Sequence, residues 1–129
     1  MKMKTLLMTT CLLFIVLGTK AQESTDVLIG TWKLDMSPHI ADDDNFAMMK
    51  ITSVKDNKLK GTFYREGVKL KEGQINTQRG IIYGALISGD NSGSYNTSFY
   101  FEDGKLYGST HAIDRGFLAV WIAEKQTDE

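Results

Sequence analysis

The chain has few of the residues that support common covalent or metal chemistry. It contains one cysteine and one proline in 129 residues. Because Cys11 lies in the apolar N-terminal stretch, the sequence after it offers no disulfide, no thiolate metal ligand and no cysteine nucleophile. It also lacks the sequence patterns of a nucleophile elbow, a phosphate-binding glycine loop and a zinc protease. We therefore expect no catalytic residues, no metal and no cofactor.

A long apolar run occurs only at the N-terminus, where it has the layout of a secretory signal. Lys2 and Lys4 precede an uncharged stretch from 5 to 18, and residues 19–21 (Thr-Lys-Ala) place small residues at a cleavage point before Gln22. The run is shorter than the roughly 20 residues of a membrane-spanning helix, so we expect no stable membrane insertion. Residues 1–21 are predicted to be a signal cleaved after Ala21, which leaves 22–129 as one secreted or periplasmic domain. The composition and this signal resemble those of exported proteins of Gram-negative bacteria.

Neither sign of charge is in large excess, because the chain has 15 basic and 16 acidic residues. Cleavage after Ala21 would remove three of the 15 basic residues and none of the 16 acidic ones, which leaves a net charge of −4. A mildly acidic domain without a basic tract is a poor candidate for nucleic acid or for an anionic membrane surface. We expect neither as a partner.

Helical periodicity is nearly absent after residue 22, and short β-type runs take its place. Each run is rich in apolar, β-branched or aromatic residues and is closed by Gly, Asn or Asp. The pattern predicts an all-β fold, an eight-stranded antiparallel up-and-down β-barrel, with a two-sheet sandwich as the alternative. The predicted strands are 27–36, 46–54, 58–65, 68–77, 81–88, 94–101, 105–113 and 116–125.

Glycines recur inside or at the start of these strands, each followed by a small or polar residue and then a large apolar one. A glycine weakens a strand unless a bend or a close approach requires it, and small barrels use such glycines at their corners. The pattern therefore favours closure of the sheet. It occurs at 30–32, 61–63, 73–75, 84–86 and 93–95.

Two short segments carry a family resemblance. Gly30-Thr31-Trp32 on the first strand resembles the Gly-x-Trp signature of calycin barrels, which include lipocalins and avidins, and residues 59–63 (Leu-Lys-Gly-Thr-Phe) resemble the end of an avidin-type second hairpin. The resemblance implies a cup that binds a small, partly apolar ligand without catalysis. It also implies a barrel floor where a late Arg or Lys stacks on Trp32; Arg115 and Lys125 are the candidates, and we assign the floor to Trp32 and Arg115.

The chain departs from the biotin-binding members of that family. The position two residues after Trp32, an asparagine in avidins, is Leu34 here. Only Trp32 and Trp121 are present, whereas a biotin pocket is lined by several tryptophans. Biotin is therefore not the expected ligand.

Aromatic residues and one histidine supply the candidate ligand-binding set. Inward-facing aromatics and polar groups at the rim would line a cup, and we predict that these are Phe63, Tyr83, Tyr95, His111 and Trp121. A small barrel isomerase or cyclase using His111 and Arg115 is a weaker alternative. Asp114, three residues beyond His111, points to the opposite face of a strand, which disfavours a catalytic pair.

Two further segments bear on partners. Residues 117–123 are apolar on both faces, so we expect the outer one to be covered by the N-terminal segment or by a second copy of the chain. A second copy would give a homo-oligomer through the last strand. A surface-acting inhibitor or cell-envelope interaction module is the alternative function that this face supports. His39 and the three aspartates 42–44 form an acidic loop that lacks the alternating spacing of a calcium site.

Overall fold

The structure is a computed structural model that describes residues 24–127. The predicted signal, 1–21, lies outside the described residues. A short 3-10 turn, Thr25–Leu28, precedes eight strands. The strands are β1 (Gly30–Asp35), β2 (Phe46–Lys55), β3 (Lys58–Tyr64), β4 (Glu72–Asn76), β5 (Tyr83–Asp90), β6 (Gly93–Glu102), β7 (Lys105–Ala112) and β8 (Phe117–Lys125).

Each strand pairs with the next in antiparallel order, and β1 also pairs with β8, which closes the sheet into a barrel. The prediction of an all-β, eight-stranded up-and-down barrel is confirmed, and the sandwich alternative is wrong. The architecture is consistent with a calycin-like fold. Within residues 24–127, no helix has the length and apolar character needed to cross a membrane.

The largest differences from the predicted strand bounds fall at β1 and β4. Residues 27–28 belong to the 3-10 turn, so β1 begins only at Gly30. The predicted fourth strand began at Val68, but β4 begins at Glu72. Residues 68–70 still bond to β3, since the amide of Phe63 donates to the carbonyl of Val68 and the amide of Leu70 to that of Gly61, both at 2.9 Å. The ladder is interrupted at Lys71, whose amide donates to the carbonyl of Ile87 on β5 at 2.8 Å, and β4 begins after this residue.

Strict alternation places one set of side chains inside the barrel. On β3, Leu59 and Phe63 are buried while Lys58 and Lys60 are exposed, as the sequence predicts. The interior is mostly filled by large apolar side chains, so the barrel is packed over most of its length. Its core includes Trp32, Leu34, Met49, Ile51, Leu59, Phe63, Ile75, Leu86, Phe99, Phe101, Leu106 and Trp121.

One end of the barrel is closed by Trp32 and the 3-10 turn. The indole Nε1 of Trp32 donates to the carbonyl of Leu28 at 2.9 Å, and its ring contacts Phe101 edge-on with centroids 6.5 Å apart. The Nζ of Lys125 lies 5.4 Å from the centre of the same ring. These contacts form a floor of the kind that the resemblance implies.

The assignment of Arg115 to this floor was wrong, because Lys125 occupies the position. β8 runs antiparallel to β1, so its last residue pairs with Trp32, whereas the turn before β8 lies at the opposite end. Arg115 belongs to that turn, and its guanidinium lies over the ring of Phe117 at 5.0 Å.

Candidate functional site

The end of the barrel opposite the Trp32 floor is open and contains a cavity of about 520 Å³, the mouth cavity. Four connections surround this end, those that follow β1, β3, β5 and β7. Buried residues form its wall, and exposed residues of β2, β8 and the connections form its rim. It is lined by Met36, Asn45, Phe46, Ala47, Phe63, Tyr64, Tyr95, Thr110, Ala112, Arg115, Phe117, Leu118 and Ala119.

The cavity exists because small side chains face inward at this level of the barrel. Ala47, Ala112 and Ala119 contribute little more than a methyl group each to the wall. One layer below, the ring of Phe63 packs against Trp121 with centroids 6.5 Å apart. Small residues above a layer of large rings leave a cup with an apolar base.

A buried hydrogen-bonded chain supports the wall. The indole Nε1 of Trp121 donates to the hydroxyl of Thr110 at 3.0 Å, and that hydroxyl lies 2.9 Å from the hydroxyl of Thr97. All three side chains are buried. Because these polar groups satisfy one another, Trp121 is held in a fixed orientation beneath the cavity.

A second polar network joins β3 to the β5–β6 hairpin at the rim. The hydroxyl of Tyr64 donates to Oδ2 of Asp90, which also pairs with Nη2 of Arg65 at 3.2 Å. The other carboxylate oxygen accepts from the amide and the hydroxyl of Ser92 at 2.8 and 2.6 Å. Since the Ser92 hydroxyl donates to Asp90, it accepts from the hydroxyl of Tyr95, 2.5 Å away.

The network shifts the pKa values of Asp90 and Tyr64 in opposite directions. Hydrogen bonds from Ser92 and Tyr64 hold the pKa of Asp90 well below its usual range. The hydrogen bond to Asp90, followed by burial, raises the pKa of Tyr64 from 10.0 to about 12. Asp90 is therefore a permanent anion at neutral pH whose acceptor oxygens are already engaged, and it acts as an anchor for the two tyrosine rings.

Titration of Tyr64 tests this network. The Tyr64–Asp90 bond stabilises the fold fully below the ordinary tyrosine pKa of 10.0 and is lost as the pH rises through about 12. In the Asp90→Asn variant, we expect the pKa of Tyr64 to fall back toward 10.0. Ultraviolet absorbance of the phenolate measures it, with Tyr64→Phe identifying the transition. An unchanged tyrosine titration in Asp90→Asn would contradict the network.

Arg115 is the one charged side chain among the described residues that line the mouth cavity. It is exposed at the rim, over the ring of Phe117. The described residues of the lining include no carboxylate and no imidazole, so none of them forms an ion pair with this guanidinium. The cavity is thus apolar at its base and cationic at one point of its rim.

The structure brings part of the predicted ligand-binding set together. Phe63 and Tyr95 line the mouth cavity, and Trp121 lies in the layer beneath them. Arg115, predicted for the floor, lines the cavity instead. The role of these residues in binding stays a prediction.

Tyr83 and His111 do not join this set. The expectation that Tyr83 faces inward was wrong: it lies on the outer face of β5, 37% exposed, beside Tyr100. The ring of Phe99 occupies the space beside Gly84, so Gly84 and Leu86 are the inward positions of β5. His111 is exposed on the outer face of β7, opposite Leu118 of β8.

No pattern in the sequence indicates the Tyr64–Asp90 contact. The two residues are 26 positions apart, on strands that are not neighbours in the sheet order. They meet because β4 is short and leaves β3 close to β5 at the open end. Thr110 was also missed, since one threonine in a β-strand is ordinary composition.

The remaining candidates lie outside the cavity. In residues 24–127, no three His, Asp or Glu side chains are placed to hold a metal ion, and this includes His39 and the aspartates 42–44. On the outer face of β8, Leu118 and Val120 are 62% and 60% exposed. The outer face of the last strand is therefore apolar, as expected, while its pairing with a second copy stays a prediction.

No protein-family model matches the sequence, and no curated protein matches it.

Proposed function

We propose that this protein is an exported, lipocalin-like barrel that binds one small, amphipathic ligand in the mouth cavity, without catalysis. The observation that carries the proposal is the cavity itself: about 520 Å³, with aromatic and aliphatic walls and one cationic side chain at its rim. Small-molecule sites are typically concave, mostly apolar and about 300–1,000 Å³ in volume. The volume and the lining both fall in that class.

The lining also defines the chemistry of the ligand. Phe63 and Tyr95 would contact the apolar or aromatic part of the ligand. Thr110 also lines the cavity, and its hydroxyl oxygen accepts a hydrogen bond from Trp121. Arg115 at the rim favours a negatively charged or strongly polar end, because the described residues that line the cavity offer its guanidinium no carboxylate partner. The ligand that fits best is therefore apolar at one end and anionic at the other.

Binding fits the lining better than catalysis. The described residues around the cavity include no carboxylate, imidazole or thiol, the side chains that most often act as general acids or bases. His111, on which the weaker enzyme alternative depends, lies on the outer face of β7. A reaction through His111 and Arg115 would require residues from two separate surfaces.

A pair of fluorescent probes tests the proposal. The anionic probe anilinonaphthalene sulfonate should bind the mouth cavity, and Arg115→Gln should raise its dissociation constant about tenfold, the size expected for one charge-assisted contact. The neutral probe phenylnaphthylamine should bind both proteins equally. Arg79→Gln, which removes an exposed charge from the β4–β5 connection, is the control.

Failure of either probe to bind, or an equal effect of Arg115→Gln on both probes, would contradict the proposal. Native mass spectrometry of protein purified from its own host should show the mass of a retained ligand. That ligand should dissociate when the chain is unfolded. A mass that matches the bare chain in every preparation would count against a retained ligand.

Contact between the outer face and another protein is a second proposal. On the outer face of β8, the exposed Leu118 and Val120 are followed by the half-buried Ile122, which pairs with Tyr107 of β7. The rings of Tyr107 and Tyr100 stack with centroids 5.3 Å apart. Contiguous exposed apolar surface is typical of interaction sites. A second copy of the chain is the proposed partner, and it would cover this outer face.

A further inference from the structure

The basic residues are concentrated in one stretch of the chain, which the low net charge does not show. Residues 50–71 contain seven basic and two acidic side chains, a net charge of +5, in a chain whose total is −1. The other 107 residues therefore carry −6. The positive stretch covers the second half of β2, all of β3 and the connection to β4.

Folding gathers four of these basic residues around one cleft. It lies on the outer surface between β3 and β4, has a volume of about 590 Å³ and is lined by Lys58, Lys60, Lys69 and Lys71. All four side chains are exposed. Lys58 and Lys60 share the outer face of β3 because they are two positions apart. Lys69 and Lys71 belong to the opposite wall, where the ammonium of Lys71 extends toward Gly89 of β5.

The ladder between β3 and β4 is interrupted at this cleft. Within the described residues the two strands pair in register at one position, Lys58 with Gln74, and the segment before β4 rejoins β3 at the bridge between Thr62 and Lys69, beside which the amide of Leu70 donates to the carbonyl of Gly61 at 2.9 Å. The neighbouring strand pairs share long ladders. The stretch between the two contacts is where the cleft forms, so the lysines surround a gap in the ladder rather than a flat sheet.

None of the four lysines forms an ion pair within residues 24–127. The ion pairs in this part of the chain are Arg65–Asp90 and Lys105–Glu124, and neither involves the cleft. Among the described residues that line the cleft, Glu72 alone is acidic. Because like charges on adjacent strands destabilise a sheet, folding alone gives no reason to collect them here.

We propose that this lysine cleft binds a multiply charged phosphate-type oxyanion, carried by a soluble small molecule or by a lipid headgroup. Several ammonium groups, each with three donors and no fixed plane, suit a tetrahedral group with many acceptor oxygens. The volume accommodates more than a single inorganic ion. The site is on the side of the barrel, separate from the mouth cavity, and does not depend on the function proposed for that cavity.

Pyrophosphate and lipid vesicles test the site. In two-dimensional NMR spectra, pyrophosphate should shift amide signals in 58–62 and 69–74 selectively. The double variant Lys60→Gln with Lys69→Gln should weaken pyrophosphate binding about thirtyfold, since each lysine near an anionic group contributes on the order of 1 kcal/mol and about 1.4 kcal/mol corresponds to a factor of ten. The control, Lys33→Gln with Arg79→Gln, removes the same charge from exposed positions outside the cleft.

The results distinguish a soluble phosphate from a lipid headgroup, and they can also contradict the proposal. Pyrophosphate binding without vesicle binding supports a soluble phosphate, whereas binding to phosphatidylglycerol but not phosphatidylcholine vesicles supports a headgroup. In both cases the affinity should fall with added salt. Shifts spread over the whole barrel, equal weakening in both double variants, or no binding to either probe would show that the cleft is not a phosphate site.

Discussion

Replacing Gly61 by alanine is expected to lower the free energy of unfolding by at least about 3 kcal/mol, among the largest effects of a single methyl group. A Cβ at this position would lie 1.8 Å from the carbonyl oxygen of Lys50 on the neighbouring strand. The backbone φ of Gly61 is 156°, which favours glycine. Gly61 also pairs beside the register shift between Ile51 and Ser53, so β2 cannot move away without losing the bulge.

Chemical denaturation monitored by tryptophan fluorescence measures this effect. The control is Gly80→Ala, at a glycine that also has a positive φ, 78°, but has no atom within 4 Å of an added Cβ. Its cost should be about 1–2 kcal/mol, the conformational penalty alone. Equal destabilisation by the two substitutions would mean that the close approach of β2 and β3 is not required.

Filling the mouth cavity is expected to have the largest effect on binding. Ala119 lies in the cavity wall beside Thr110 of β7, so Ala119→Phe would place an aromatic ring in the space that a ligand occupies. We expect binding of both anilinonaphthalene sulfonate and phenylnaphthylamine to weaken at least about tenfold, because the apolar area they bury is replaced by the new side chain.

Ala85→Phe is the matched control, since it adds the same atoms at an exposed position on the outer face of β5. It should leave both dissociation constants unchanged. Thermal unfolding of the two variants shows whether the barrel is intact. Full probe affinity in a folded Ala119→Phe protein would move the binding site out of the mouth cavity.

The two predictions concern different properties of the barrel. Gly61→Ala tests a contact on which closure of the sheet depends, and Ala119→Phe tests the space that closure leaves. An Ala119→Phe protein that folds but does not bind the probes would separate the effect on binding from an effect on stability. The lysine cleft should still bind pyrophosphate in that variant, because Ala119 lies outside its lining.

Local pattern in the sequence determined the fold class and much of the strand layout. The alternation of Lys58, Leu59, Lys60 and Phe63 specifies which face of β3 is buried, because side chains in a strand alternate with a period of two. Recurrent glycines and short turns, together with the lack of helical periodicity, led to an eight-stranded meander. These signals are local, and a barrel with short connections consists mainly of neighbouring strands, so local signals were sufficient.

The alternation of apolar and polar residues could not identify the inner face of a strand that is apolar throughout. The predicted fifth strand has apolar residues at nearly every position, so either face could have been the inner one. The ring of Phe99 beside Gly84 decides the matter and turns Tyr83 outward. Packing across strands therefore chose the face that sequence periodicity left open.

Only the tertiary structure decided which distant residues meet. Barrel closure sets the register of β8 against β1, and that register places Lys125 rather than Arg115 on Trp32. The shortness of β4 brings Tyr64 to Asp90. The interruption of the ladder between β3 and β4 collects the lysines of the cleft. Such contacts depend on register, strand length and closure, which no single segment encodes, and they define both the mouth cavity and the lysine cleft.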